Sequence, residues 1–249
     1  MRAYRFVAFL GAEVADAGRS VAASAHVEFD HSGGLAAEEA DTPSERVGRE
    51  LLRRIARRLD STDHGNVEFS ARALAPVRPE ERATSSPGGD VGFLLHIDLP
   101  GFDHRSALIG KSIYEPSIRD GTLAGVGDEL RTRIDSRLES TPSTFLFLIS
   151  DTGVRVVSGS AAVAIEDRLD HQALTEMVYS KDLGRFAQDF AEGFVGDPRL
   201  TEGIRYPNES SNVDQEIRAW ATEYDVQGVL FVRVSLAPNR EPASLRDFV

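Results

Sequence analysis

The central strand of the fold is predicted from one stretch, which reads Gly88-Gly89-Asp90-Val91-Gly92-Phe93-Leu94-Leu95-His96-Ile97-Asp98-Leu99. Its apolar run is entered through glycines and closed by Pro100-Gly101, a pair typical of turns. A second apolar run follows at residues 107–114. The two runs predict a β-hairpin at the centre of the chain.

Segments on both sides of this hairpin predict a mixture of helices and strands. Apolar residues at helical spacing predict helices from residue 43 to about residues 60–62 and at residues 126–138, 183–195 and 213–224. Apolar runs of strand length predict strands at residues 67–74, 144–150, 154–157 and 228–236. Residues 2–10 and 20–29 alternate in polarity and predict an antiparallel pair. The fold class is therefore α/β (α+β), with a mixed central sheet flanked by helices.

The length of 249 residues suits a single domain over residues 1–249. We expect a core at about residues 42–200, with an N-terminal β-hairpin at 1–31 and a C-terminal helix and strand at 206–237 packed on it. Thr42-Pro43-Ser44-Glu45 marks the start of the first core helix, because it combines an N-cap hydroxyl, an early proline and a capping-box glutamate.

Composition narrows the function classes. The chain has 28 basic and 40 acidic side chains and a net charge of −12, which disfavours non-specific adhesion to nucleic acid. It contains no cysteine, so disulfides and thiolate metal sites are excluded. No apolar run is long enough to span a membrane, and the first residues lack the pattern of a signal peptide. These features predict a cytoplasmic protein without a membrane partner.

The predicted hairpin carries a carboxylate and an amine that suit phosphodiester chemistry. Metal-dependent cleavage uses carboxylates to bind Mg²⁺ and a lysine two residues beyond the second ligand to generate or orient the nucleophile. Asp90 and Lys111 lie on the two strands of the hairpin. The second ligand position holds Ile109, whose side chain cannot bind a metal ion.

The stretch from Gly89 to about Leu200 resembles the PD-(D/E)XK superfamily of restriction-endonuclease-like nucleases. The resemblance depends on residues 89–99, on residues 141–157 (Thr-Pro-Ser-Thr-Phe-Leu-Phe-Leu-Ile-Ser, then Gly-Val-Arg-Val-Val) and on residues 179–197. It implies a restriction-endonuclease-like core with Asp90 as the Mg²⁺ ligand, Lys111 as the catalytic lysine and Glu50 as a helix carboxylate. Ile109-Gly110-Lys111 departs from the usual Gln/Glu-x-Lys.

The helix at residues 43–59 has a local net charge of +4 from six arginines and two glutamates. Arg53, Arg54, Arg57 and Arg58 form two rows at i, i+4 spacing, which could contact successive phosphates of a nucleic acid. In the alternative interpretation, carboxylates from elsewhere in the chain neutralise these rows. His96 and Asp98 lie on one face of their predicted strand. They form either a catalytic pair or part of a partly exposed polar face.

Two function hypotheses follow. The first is a nuclease-fold protein of prokaryotic antiviral defence or DNA processing, which binds nucleic acid or is an Mg²⁺-dependent endonuclease, a phosphodiester hydrolase. The second is a non-catalytic scaffold or interaction subunit that docks an effector partner protein. Ile109 and the acidic composition favour the second hypothesis.

Overall fold

The computed structural model describes residues 5–31, 42–60, 62–64, 66–75, 89–115, 126–164, 179–202, 204 and 213–237. The helices are α1 (Arg5–His31), α2 (Pro43–Leu59), α3 (Val126–Ser140), α4 (Gly159–Val163), α5 (Leu183–Ala191) and α6 (Val213–Glu223), with a 3₁₀ turn at Pro198–Thr201. The strands are β1 (Thr62–His64), β2 (Val67–Leu74), β3 (Gly89–Leu99), β4 (Phe102–Tyr114), β5 (Thr144–Ser150), β6 (Gly153–Ser158), β7 (Ser180–Asp182) and β8 (Gly228–Leu236).

Within the described residues, the strands form one mixed sheet of eight strands in the order β1-β2-β8-β3-β4-β5-β6-β7. The mixed α/β class and the β3–β4 hairpin are confirmed. The sequence predicted a C-terminal helix and strand packed on the core. The strand, however, is part of the central sheet. β8 lies inside the sheet, antiparallel to β2 and parallel to β3.

The predicted N-terminal β-hairpin is wrong, because the structure has a single helix there, α1. Its buried residues follow a helical spacing: Phe6, Leu10, Val14, Ala17, Val21 and Ala25. The alternation that suggested a strand came partly from alanines, which favour helices and carry little information about a face. Ala23, for example, is exposed although both of its i±2 neighbours are buried.

Helices cover both faces of the sheet. The face that packs against α1, α2 and α5, here called the front face, contributes to one large apolar cluster. The back face packs against α3 and α4 in one smaller cluster and against α6 in another. Every residue of β5 is buried, as predicted for a strand covered on both sides. None of the described helices has the length and hydropathy to cross a membrane.

The predicted capping box of α2 is confirmed. The Glu45 backbone N–H donates to Thr42 Oγ1 at 3.3 Å, and the Thr42 backbone N–H donates to Glu45 Oε2 at 2.7 Å. α2 then ends at Leu59, next to the position that the sequence predicted. The start of this helix is therefore determined by local sequence alone.

Helix α5 is shorter than predicted. It stops at Ala191, and Gly193 follows with a positive φ of 78°. The Phe194 N–H bonds to the Asp189 carbonyl, which closes the helix. Phe186 and Phe190 are buried as a core stripe, but Phe194 is 61% exposed and does not continue it.

Two glycines let aromatic rings lie directly on the hairpin. A Cβ on Gly110 would be 2.2 Å from Phe147 Cε2, and a Cβ on Gly92 would be 2.5 Å from Trp220 Cζ3. Both distances are shorter than any real contact, so each ring occupies the space of a missing side chain. Gly110 therefore has a packing role within the Ile109-Gly110-Lys111 segment.

A cavity of about 40 Å³ lies between the front face and the helices α1, α2 and α5. Apolar side chains line it, among them Val14 of α1, Ile55 of α2 and Phe186 of α5. This volume is too small for a drug-sized ligand. It is a packing defect in the largest apolar cluster.

We expect Val14→Ile to stabilise the protein, because the added methylene fills this cavity. One buried methylene contributes about 0.8 kcal/mol to the free energy of unfolding, which urea titration would detect. Val21→Ile is the matched control, since Val21 is also buried on α1 but does not line the cavity. Equal stabilisation by both variants would contradict the cavity explanation.

Candidate functional site

The backbone register of the hairpin pairs Asp90 directly with Lys111. Directly opposed residues of an antiparallel pair share one face of the sheet. The strands therefore pair the two residues that the sequence singled out, at the end of the sheet where β3 begins. We call this the Asp90 end of the sheet.

Lys111 is only 3% exposed and lies on the back face. Its neighbours on that face of β4 are Ile109 and Ile113, and its register partner on β5 is Leu146. These three side chains are buried and apolar. Burial of a lysine in such surroundings is costly unless a partner offsets its desolvation. The residue directly opposite Lys111 in the register is Asp90.

Ile109, at the second ligand position of the predicted site, belongs to the apolar cluster under α6. It is 2% exposed and opposes Gly92, over which the Trp220 ring lies. The position that would carry a second metal ligand is therefore part of the core. No movement of a neighbouring side chain gives this position an oxygen ligand.

Glu50 does not join this pair. The Ser112 hydroxyl donates to the Ser44 carbonyl of α2 at 2.9 Å, so Ser112 faces the front and the adjacent Lys111 faces the back. Glu50 lies on α2, on the opposite side of the sheet from Lys111. Its Oε1 accepts hydrogen bonds from Arg54 Nε at 2.8 Å and from Arg57 Nη2 at 3.0 Å.

Glu45 is the α2 carboxylate that the structure places near the Asp90 end, and its sequence context predicted only a capping role. It is 7% exposed, and its Oε1 accepts a hydrogen bond from Gln227 Nε2 at 2.7 Å. Gln227 precedes Gly228, the register partner of Val91. The capping box was visible in the sequence, but the contact with a residue 182 positions away was not. Both Glu45 oxygens are thus occupied.

The donor set does not fit the Mg²⁺ site that the resemblance implies. Hard cations such as Mg²⁺ bind oxygen ligands. Ile109 supplies none, and Glu45 and Glu50 are committed to other partners. Among the residues whose side chains are described, no group of three or more His, Asp or Glu side chains could hold a metal ion. We therefore assign no chemical step to a metal ion.

The predicted rows of arginines are largely neutralised, in agreement with the alternative interpretation. Arg54 and Arg57 both bind Glu50. Arg54 also donates to the Ser20 carbonyl of α1 at 2.8 Å. Arg58 donates to Glu13 Oε2 of α1 at 2.9 Å, with Asp16 nearby. Arg53 is exposed and forms no hydrogen bond or ion pair within the described part of the chain.

His96 and Asp98 do not form a catalytic pair. Asp98 accepts a hydrogen bond from Arg233 of β8 at 2.9 Å, whereas His96 Nε2 lies 3.5 Å from Asp103 Oδ1. Burial lowers the pKa of His96, and the positive charge of Arg105 lowers this pKa further, against the opposing effect of the two aspartates. His96 is thus a buried, neutral imidazole beside a surface network of ion pairs.

Residues 179–197, which contribute to the resemblance, have structural roles. Lys181 and Arg185 both bind the buried carboxylate of Asp189. Asp197 accepts hydrogen bonds from the Thr141 hydroxyl and from Arg199. These hydrogen bonds, led by the one from Arg199, hold the pKa of Asp197 below its usual value. The charged groups of this segment therefore stabilise the fold and leave no second candidate site.

Comparison with known proteins gives no further assignment: no family model, no curated protein and no solved structure matches the chain. The assignment of function therefore depends on the site itself.

The pairing of Asp90 with Lys111 in the register leads to a prediction about stability. Lys111→Met keeps most of the side-chain volume but removes the positive charge that the register places opposite Asp90. We expect the free energy of unfolding to fall by about 3–5 kcal/mol, as measured by urea titration. The double variant with Asp90→Asn should recover most of this loss. Simple additivity of the two substitutions would show that the residues are not coupled.

The histidines predict a pH dependence of stability. Burial lowers the pKa of His104 as well as that of His96, so the folded state binds fewer protons than the unfolded chain. This contribution to stability is complete above the unfolded pKa of about 6.5 and is lost as the pH falls below that value. Urea titrations at pH 7.5 and pH 5.5 should show this decrease, and replacing both histidines with Gln should reduce it. An unchanged decrease would assign it to other groups.

Proposed function

We propose that this chain is a nuclease-like cytoplasmic protein of a prokaryotic defence or DNA-processing system, and that it binds nucleic acid without cleaving it. The burial of Ile109 in the core, at the position of the second metal ligand, is the observation that carries this proposal. The resemblance at residues 89–197 supports a nucleic acid as the partner.

The hydrogen bonds and ion pairs of the two α2 carboxylates support the same proposal. A metal-dependent nuclease needs acidic side chains that are open to a cation and to the scissile phosphate. Glu45 is used by Thr42 and Gln227, and Glu50 by two arginines. In this proposal Asp90 and Lys111, which the register pairs, have a structural role in the hairpin.

A supercoiled-plasmid assay with Mg²⁺ or Mn²⁺ tests the absence of cleavage. We expect wild type and Asp90→Ala to give equal, background amounts of nicked and linear product, while the wild type still retards the same plasmid on a gel. Metal-dependent cleavage that is lost in Asp90→Ala would overturn the proposal.

The same assay tests a second candidate function, a metal-dependent endonuclease. One observation favours it, namely the direct pairing of Asp90 with Lys111 in the register of the hairpin. If the wild type neither cleaves nor binds nucleic acid, nucleic-acid binding is contradicted. The remaining function is then a scaffold that docks an effector protein, which co-purification with neighbouring gene products would detect.

A further inference from the structure

The imidazole ring of His104 lies at the C-terminal end of α5. His104 is on β4 and directly opposes Ile97, a residue of the front-face cluster, so its side chain faces the helices on that side of the sheet. The ring donates a hydrogen bond to the Phe190 carbonyl in the last turn of α5. His104 therefore connects the sheet to the end of this helix.

One ring nitrogen of His104 is buried without a hydrogen bond. Nε2 has no hydrogen-bond partner among the described residues, so Nδ1 is the donor to Phe190 and Nε2 carries the lone pair of a neutral imidazole. Gly193 lies against the same ring, because a Cβ on this glycine would be 3.2 Å from His104 Cε1 and 3.6 Å from Nε2. A proton added at Nε2 would be a buried donor without an acceptor, which is unfavourable.

The segment that lies against the ring is a short turn with two glycines. Gly193 and Gly196 both have a positive φ, 78° and 101°. Directly after the turn, Asp197 forms two backbone hydrogen bonds with Ala107 of β4. We call residues 192–196 the α5 turn. Because it is held at both ends, the turn can move while α5 and the sheet stay folded.

Charged groups favour protonation of His104 less than burial opposes it. Asp103, the preceding residue of β4, favours the charged ring, and so does the hydrogen bond to the Phe190 carbonyl. Burial has the largest effect and lowers the pKa of His104. In the closed structure the ring is therefore neutral near pH 7.

The elements packed around the ring do not provide an acceptor for Nε2. β3 presents the apolar Ile97. The Asp189 carboxylate of α5 already binds Lys181 and Arg185. Glu192, the C-cap residue of α5, is partly exposed. None of these described groups bonds to Nε2 in the closed structure.

We propose that the contact between His104 and the α5 turn is a pH-sensitive switch, in which the neutral ring keeps the turn closed and the protonated ring opens it. A charged ring must reach water, and the turn has to move for this because Gly193 lies against the ring. Opening uncovers Phe190, which is 8% exposed, and Val195, which packs against the front-face cluster. The switch goes beyond the proposed function and does not depend on it.

Amide hydrogen exchange of the full chain, expressed as protection factors, measures this opening. The Phe194 and Val195 N–H groups both donate to the Asp189 carbonyl and report on the turn. We expect their protection to fall by up to about tenfold between pH 7.5 and pH 5.5, because the open turn lets His104 bind a proton with a pKa of about 6.5. Their protection should stay below that of β5 at both pH values. Protection equal to that of β5 would mean that the turn opens only when the whole chain unfolds, and would overturn the switch.

Two matched variants assign the effect to one histidine. His104→Gln keeps an N–H donor for the Phe190 carbonyl but takes up no proton, so the protection of the turn should no longer depend on pH. His96→Gln is the control, because His96 is also buried but lies on the back face. It should keep the wild-type fall. A fall in His104→Gln as large as in the wild type would contradict the proposal.

A measurement on the wild type alone tests the switch even if His104→Gln does not fold. In an NMR titration, the His104 Cε1–H signal and the Phe194 amide signal should change with one common midpoint. This midpoint should lie below about 6.5, because burial opposes protonation in the closed structure. Different midpoints for the ring and the turn would show that protonation does not open the turn.

Discussion

The structure depends on the burial of the central strands on both faces. β3, β4, β5 and β8 carry apolar side chains that alternate between the front and back faces, so neither side of the sheet can be left in water. α1, α2 and α5 cover one side, and α3, α4 and α6 cover the other. This double burial also decides the chemistry of the hairpin, because it places Ile109 and Lys111 in the interior.

The contact between Glu45 and Gln227 connects two distant parts of the chain. Glu45 determines the start of α2 through its capping box, and its other oxygen holds the residue that enters β8. β8 separates β2 from β3 in the sheet, so this hydrogen bond fixes the helix and the inserted strand relative to each other. A carboxylate used in this way is a structural group rather than a metal ligand.

Several arginines in the described part of the chain bind carboxylates or carbonyls of the protein itself. Arg54, Arg58 and Arg233 each bind a carboxylate or a carbonyl of another element or strand. The ion pairs on the surface contribute little stability individually. They do, however, neutralise positive charge on the surface of the described residues.

The sequence by itself determined the elements that depend on local patterns: the β3–β4 hairpin, the capping box of α2, the doubly buried strand β5 and the mixed α/β class. It also placed Asp90 and Lys111 on the two strands of this hairpin, whose register pairs them. Only the tertiary structure decided that residues 5–31 form a helix, since alanines fit either pattern and the neighbouring elements select one. It also decided the insertion of β8, the placement of Glu50 on the face opposite Lys111 and the partners of the arginines. These features depend on contacts between residues far apart in the chain, which no local periodicity encodes.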